Sequence, residues 1–346
     1  MSFMTRLLIL GGSWFLGRAV AETAVARRWD VTIFRRGRAE SGCDPAGARA
    51  VRGDYSDPLS VARLVHHGPF DLVVDNLAFT PRETLAVSTV LRPVAARYVL
   101  ISSVSAYQDW PIKPLTEKSA TLECSPEAGP EPGYDGDPGP STYGFGKAGC
   151  ERAVLRSFGA DRSVILRPGV ILGPGEYIGR TAWWLGRLRR GGNVVAPDSP
   201  GQPIQPVDVR DVAAFSLDAP AGVFNVTAPG TDTMADFIVA CAKYAPAPAG
   251  TTIHWVSPKV LIAHGVRQWT ELPLWRTYAG AWAVDASAAR AAGLTTRPIA
   301  DTVRDTAEWL ASGGELVASD RAAELGLDPV KESAILADHE SRSRFG

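Results

Sequence analysis

The chain has 346 residues, room for two ordinary domains or for one large α/β domain with an appended lobe. Its 36 Lys+Arg against 37 Asp+Glu leave a formal net charge of −1, so no net positive field exists to hold nucleic acid or an anionic membrane at long range. With 45 % hydrophobic and 21 % charged residues, and 34 Gly beside 26 Pro, the composition excludes a disordered, fibrous or small disulfide-stapled chain.

Residues 7–10 read as a buried strand, and 17–28 as a helix with Ala and Val turned inward. A strand over 31–34 follows, then Ala50-Val51 leading into Gly53-Asp54, a helix over 59–66, and strands over 71–74 and 98–101. Such alternation predicts βαβ units around a parallel sheet buried on both faces, with right-handed crossovers and any ligand at the carboxyl ends of the strands. From Pro111 to Pro140 the chain is rich in Pro, Gly and acids, which predicts a long surface loop, functional or mobile. A helix over 143–157 and a strand over 164–166 come next. Beyond Gly173 the alternation fails. A strand over 222–226 and helices near 233–243, 286–292 and 300–312 predict a smaller second lobe, and the polar stretch after about 314 a helix and a frayed tail. The expected fold class is α/β: a Rossmann-like doubly wound parallel sheet with a smaller C-terminal substrate-binding lobe. The sheet domain would span 1–173 with 201–230 returning to it, the lobe 174–200 and 231–313, and the helix and tail 314–346.

The four cysteines, Cys43, Cys124, Cys150 and Cys241, form no CxxC pair, and five scattered histidines add no metal-ligand spacing. Reduced thiols and a cytoplasmic location are expected. The run LLILGGSWFLG, followed by Ala19-Val20-Ala21, imitates a short signal peptide, but two adjacent glycines and Arg18 interrupt it. It reads as folded structure. No apolar stretch approaches the roughly 18–20 residues needed to span a bilayer, so no membrane association is expected.

Between the first strand and the first helix stands Gly11-Gly12-Ser13-Trp14-Phe15-Leu16-Gly17. Glycines there let a backbone approach a dinucleotide pyrophosphate, and the helix N-terminus offers free N–H groups. An ordinary tight turn remains the competing reading. At the end of the next strand lie Arg35, Arg36 and Arg38, where an acid would bind the ribose 2′-OH of NAD and arginine accommodates the 2′-phosphate of NADP. They favour NADP over NAD, against the alternative of a solvated basic loop. Ser102 and Ser103 end the strand at 98–101, and Tyr143 and Lys147 stand four apart on one face at the start of a helix. An ammonium beside a phenol favours the phenolate, which can pass a proton to or from an alcohol oxygen while hydride moves at the adjacent carbon. A serine hydroxyl there can hold the reacting oxygen. Each signal alone has a bland reading (a surface Tyr–Lys pair, serines capping a strand end). Their order is what makes them specific.

On these residues the chain resembles the extended, atypical short-chain dehydrogenase/reductases of the NAD-dependent epimerase/dehydratase family, over residues 7 to about 309. The resemblance implies that Gly11, Gly12 and Gly17 form the cofactor turn and that Gly53-Asp54 meets the adenine. Ser103, Tyr143 and Lys147 would be the catalytic set, and Arg167-Pro168-Gly169 would lie near the nicotinamide. Gln205 to Asp211 and Phe224-Asn225-Val226 match later family segments. Trp14 stands where the usual turn has its middle glycine. Ser103-Val104-Ser105 replaces the Thr-Asp-Glu of the nucleotide-sugar dehydratases, which argues against that reaction. Related atypical members include chloroplast proteins that bind stem-loop RNA, a role the charge balance does not support.

Six of the ten tryptophans lie between Trp183 and Trp282 with arginines interspersed, among them Arg180, Arg187 and Arg276. They either stack and grip a ligand or fill the lobe's core. The expected function is an NADP-dependent oxidoreductase acting on a carbonyl or secondary alcohol of a sugar nucleotide or similar polar metabolite. Nucleotide-sugar epimerisation without net redox change is an alternative, as is a non-catalytic cofactor-holding or RNA-associated protein. The expected partner is a small-molecule substrate, with no nucleic acid, and a homodimer is the candidate assembly.

Overall fold

Leu7, Leu8, Ile9 and Leu10 are all 0 % exposed, which requires both faces of their strand to be covered. In the computed structural model, which describes residues 4–37, 44–136, 138–316 and 320–345, they belong to β1 (Arg6–Leu10) at the middle of a seven-stranded sheet. Its other strands are β2 (Asp30–Arg35), β3 (Arg49–Arg52), β4 (Phe70–Asp75), β5 (Ala95–Ile101), β6 (Ser163–Pro168) and β7 (Gly222–Val226). All pair in parallel, in the order β7-β6-β5-β4-β1-β2-β3. Leu10 is in register with both Phe34 and Asp75, so the carboxyl ends of β2, β1 and β4 form one edge. The strand order reverses at β1, and the crevice of a doubly wound sheet opens outside that point.

The covering helices are α1 (Phe15–Ala26), α2 (Pro58–Ala62), α3 (Pro81–Leu91), α4 (Thr142–Phe158) and α5 (Val209–Asp218). α1 packs on α5, and α3 on α4. Under the second pair lies a core of Leu8, Leu10, Val73, Leu91, Leu100 and Ile165. Fully burying each such side chain stabilises by about 1.5–3 kcal/mol. The sequence reading missed α3, although Thr80 before Pro81 at its first turn and Glu83 within that turn are start signals. The helix expected over 59–66 is shorter: after α2, capped by Asp57, the chain tightens into a 3₁₀ turn over Arg63–His67 ahead of Gly68-Pro69.

Between 111 and 140 the described residues contain no helix or strand. The segment is nevertheless anchored. Leu115 and Leu122 are 1 % and 4 % exposed, and Leu115 exchanges backbone hydrogen bonds with Ala283 (2.9 Å) and Asp285 (2.8 Å).

The chain divides into two compact units. The first comprises Met1–Val170, Val209–Thr227 and Ala279–Thr296, and the second Ile171–Asp208, Ala228–Tyr278 and Arg297–Gly346. Asn225 helps tie the late segment into the first, its Nδ2 donating to the Asp285 carbonyl at 2.9 Å. Within the second unit, strand Asn193–Pro197 pairs in parallel with Thr252–Val256. Trp184 and Trp275 are buried in its core, and Trp184 Nε1 donates to the Pro273 carbonyl at 3.0 Å. The core reading holds for these two, while Trp183, Trp255, Trp269 and Trp282 are half-buried and Arg180 and Arg276 lie over the Trp269 ring at 5.7 and 4.5 Å. The helix expected after about 314 is present as Pro329–Phe345, with Ile335 fully buried. Its Glu332 carboxylate accepts Arg187 Nε at 3.0 and 2.9 Å, and this neutralises two charges that neither segment could bury alone.

Candidate active site

The glycines after β1 are demanded by close packing. A Cβ on Gly11, whose φ is +83°, would lie 2.8 Å from Leu77. On Gly12 it would lie 2.7 Å from Ile33, and on Gly17 1.8 Å from the Gly11 carbonyl oxygen. Trp14 has φ −132° and ψ 150°, an extended conformation open to any residue, and is 58 % exposed. Its indole therefore leaves the turn rather than filling it, and the missing middle glycine does not close the cradle. Ser13 Oγ is buried with no hydrogen-bond partner, and the first amides of α1 have no partner within the helix. Phe15 (φ +36°) and Leu16 open that helix, with Leu16 buried in it. Asn76, directly after β4, donates its backbone N–H to the Leu10 carbonyl at 3.0 Å, while its side-chain Oδ1 and Nδ2 are buried without partners. The sequence reading passed over Asn76. Its signal was a polar residue ending an apolar strand.

At the end of β2 the three arginines separate. Arg35 is 8 % exposed, and its Nε and Nη2 bind Asp44 Oδ2 at 3.0 and 2.5 Å, so its guanidinium is committed within the protein. Arg36 is exposed, and Arg38 lies outside the described residues. Gly53 N–H donates to the Arg35 carbonyl at 3.0 Å, which brings Asp54 beside this strand end. The Asp54 carboxylate accepts from the N–H (3.0 Å) and Oγ (2.8 Å) of Ser56, and those bonds hold its pKa below the ordinary carboxylate value.

Tyr143 and Lys147 are delivered by a helix with a glycine face. Ser141 caps α4 by accepting from Gly144 N at 3.1 Å. A Cβ on Gly144 would lie 2.3 Å from the Ser105 carbonyl oxygen, and one on Gly146 2.7 Å from that of Phe79. One on Gly149 would lie 2.5 Å from Pro81. The helix backbone thus touches the chain leaving β4 and β5. Lys147 is 3 % exposed, and Nζ donates to the carbonyls of Ala78 (2.8 Å) and Ile101 (2.9 Å), which offset the cost of burying it. The same atom stands 5.6 Å from the Tyr143 ring centroid and 4.3 Å from that of Phe79. Tyr143 is 37 % exposed. Ser103 is buried at the turn after β5, where its Oγ accepts from Ser105 N at 3.1 Å. Pro168 is buried at the end of β6.

Behind this edge lie two buried carboxylates with no local sequence pattern to reveal them. Glu151, one turn after Lys147, accepts from Arg167 Nε (2.8 Å) and Nη2 (2.6 Å) and from Ser102 Oγ (2.5 Å). The Arg167 guanidinium lies 4.5 Å over the Tyr107 ring, whose hydroxyl donates to Asn225 Oδ1 at 2.8 Å. Asp75 accepts from Tyr55 OH (2.7 Å), Tyr98 OH (2.5 Å) and Leu77 N (2.8 Å), and burial raises its pKa. Burial also pushes the Cys150 thiol up to about 12.

Among the described residues no group of His, Cys, Asp and Glu could hold a metal ion, and no helix is long and apolar enough to cross a membrane.

No family model matches the chain. It is similar to the chloroplast stem-loop binding protein of 41 kDa b of Arabidopsis thaliana, 27 % identical over 274 residues, which is 73 % of this chain and 66 % of that protein. It is also similar to the 2′-dehydrokanamycin reductase of Streptomyces kanamyceticus, 27 % identical over 201 residues, 56 % of this chain and 51 % of that one. The match spans less than two thirds of the length of either relative. Among solved structures, the Bordetella bronchiseptica enzyme WbmG in complex with NAD and UDP superposes with a TM-score of 0.66 at 18 % identity, covering 91 % of this chain and 97 % of that one. The chain has the extended short-chain dehydrogenase/reductase fold.

Proposed function

We infer that the chain is a nicotinamide-dinucleotide-dependent oxidoreductase of the extended short-chain dehydrogenase/reductase type, acting at a carbonyl or secondary alcohol of a sugar nucleotide or similar polar metabolite. The observation that carries this reading is the placement of Ser103, Tyr143 and Lys147 at the carboxyl edge of a sheet whose first turn is bare of side chains at Gly11, Gly12 and Gly17. The reductase named among the relatives supports net oxidoreduction, and the UDP held by WbmG supports a nucleotide-linked substrate. The net charge of −1 supports a small molecule over RNA.

The residues of the cradle fit a dinucleotide. Gly11, Gly12 and Gly17 carry no side chain between the strand end and α1, and Ser13 Oγ and the Asn76 side chain supply buried hydrogen-bonding groups that the protein leaves unpaired. A bound nicotinamide supplies or accepts hydride. The chain's own groups handle the proton. Tyr143 gives a proton to a carbonyl oxygen as it becomes an alkoxide, or takes one from an alcohol. Lys147, fixed by two carbonyls, presents its remaining N–H to the cofactor. Ser103 Oγ holds the reacting oxygen. For the ribose, Arg36 is the exposed arginine that supports a 2′-phosphate, while Arg35 is occupied by Asp44. Its replacement decides between NADP and NAD.

The test is titration of the purified chain with NADPH and NADH, then turnover with a panel of nucleotide sugars. Binding is expected for at least one nucleotide, with stoichiometric consumption that Tyr143→Phe reduces by about 10²–10⁴-fold. Binding of neither, or unchanged turnover in that variant, refutes the reading. Turnover without net change in cofactor absorbance assigns epimerisation instead. If NADPH binds, Arg36→Ala weakens it about tenfold and leaves NADH alone.

A further inference from the structure

Phe79 is 55 % exposed, lies four residues beyond the buried end of β4 and has no place in the proton chemistry. A single exposed apolar ring is ordinary on a protein surface, and what distinguishes this one is its position. The Phe79 ring centroid stands 4.3 Å from Lys147 Nζ, well inside the roughly 6 Å over which an ammonium is attracted to a ring face. The same ring packs at 6.2 Å, tilted by 44°, against Tyr143. Two flanking features hold it there. The Ala78 carbonyl, one residue earlier, accepts from Lys147 Nζ, and the Phe79 carbonyl lies where any side chain on Gly146 would collide.

We propose that Phe79 is a positioning residue for Lys147: its ring face fixes the ammonium between the ends of β4 and β5, so that the lysine's free N–H points at the cofactor. The ammonium has three N–H donors, and the carbonyls of Ala78 and Ile101 take two. Two hydrogen bonds leave the group free to pivot about the line between their acceptors. A ring lying against it blocks that rotation and cannot take the third donor as strongly as an oxygen would. The attraction is strengthened because Lys147 itself is 3 % exposed and its charge is little screened. This assignment rests on the oxidoreductase reading for its consequence, but not for the contact itself.

Two variants separate the ring face from mere bulk: Phe79→Leu keeps an apolar side chain, and Phe79→Tyr keeps the face. Because the side chain is mostly exposed, both should fold, and thermal unfolding checks this. The first readout needs no cofactor. In ¹³C-lysine-labelled protein the Lys147 side-chain methylene signals, assigned by their loss in Lys147→Met, should be displaced by the ring current in wild type and Phe79→Tyr and return to ordinary values in Phe79→Leu. The second is affinity for NADH and NADPH, which Phe79→Leu should weaken about five- to tenfold and Phe79→Tyr should restore to within about twofold. Undisplaced Lys147 signals in wild type, or equal affinity in wild type and Phe79→Leu, overturn the proposal. A wild type that binds neither nucleotide, yet shows the displaced signals, refutes the oxidoreductase reading and with it the consequence, leaving the contact standing.

Discussion

Replacing Glu151 by Gln tests the buried support of the site most directly. The Glu151 and Arg167 side chains are 6 % and 7 % exposed and share two hydrogen bonds of 2.8 and 2.6 Å, with Ser102 adding a third donor. The amide keeps the shape, but it removes the negative charge and turns an N–H₂ towards one of the arginine nitrogens. Arg167 is then an uncompensated buried cation, a change that costs about 3–5 kcal/mol. Against a total stability of about 5–15 kcal/mol this is a large fraction. For a domain of roughly 150–250 residues it lowers Tm by about 6–20 °C. The assay is thermal unfolding of wild type, Glu151→Gln, Arg167→Met and the double Glu151→Met/Arg167→Met variant. Replacing the whole pair by apolar side chains removes both desolvation costs, so the double variant should recover much of the loss suffered by either single one. A Glu151→Gln protein unfolding within about 2 °C of wild type, or a double variant as unstable as the sum of the singles, refutes the reasoning. Because Glu151 shares α4 with Tyr143 and Lys147, turnover should fall with it even below the unfolding temperature.

Three further outcomes are expected. Gly17→Ala forces a Cβ to 1.8 Å from the Gly11 carbonyl oxygen, so the turn must open, with a stability loss of about 1–3 kcal/mol and loss of nucleotide binding by fluorescence titration. Burial raises the Asp75 carboxyl above its unfolded value, so its contribution to stability is fully present below about pH 4 and is lost as pH rises through the folded pKa. Asp75→Asn removes that dependence, and denaturant titrations should show the variant gaining on wild type with rising pH through that window, whereas a constant difference would contradict it. In the second unit, Glu332→Ala strands Arg187 without its carboxylate, so the helix Pro329–Phe345 should release and become the first site of limited trypsin cleavage, most simply after Lys331.

The parallel sheet was legible in the sequence because most of its strands are buried on both faces and therefore appear as uninterrupted apolar runs; six of the seven were placed to within a few residues. The glycine turn was legible for a related reason, since an unfilled Cβ position is recorded directly as glycine. α3 escaped because its start signals, Thr80-Pro81 and Glu83, open a short helix between two strands rather than a long apolar run. Asn76, Phe79 and the Asp75 and Glu151 networks escaped for a deeper reason. Phe79 and the two carboxylates acquire their meaning from partners distant in sequence, Tyr98 standing 23 positions after Asp75 and Arg167 16 after Glu151, while Asn76 is marked only by the burial of its unpaired side chain.

What the sequence determined alone was thus the set of local rules: which runs must be covered, where the backbone must be bare, and that a tyrosine and a lysine share a helix face. Tertiary structure decided which charges are free to act. Three arginines near the end of β2 look equivalent in the chain, yet Arg35 is spent on Asp44 while Arg36 stays in solvent. Arg187, one of several arginines in the second unit, is consumed by a carboxylate 145 residues later. A charge is neutralised only by the group the fold brings within about 3 Å, and local spacing along the chain carries no record of that distance.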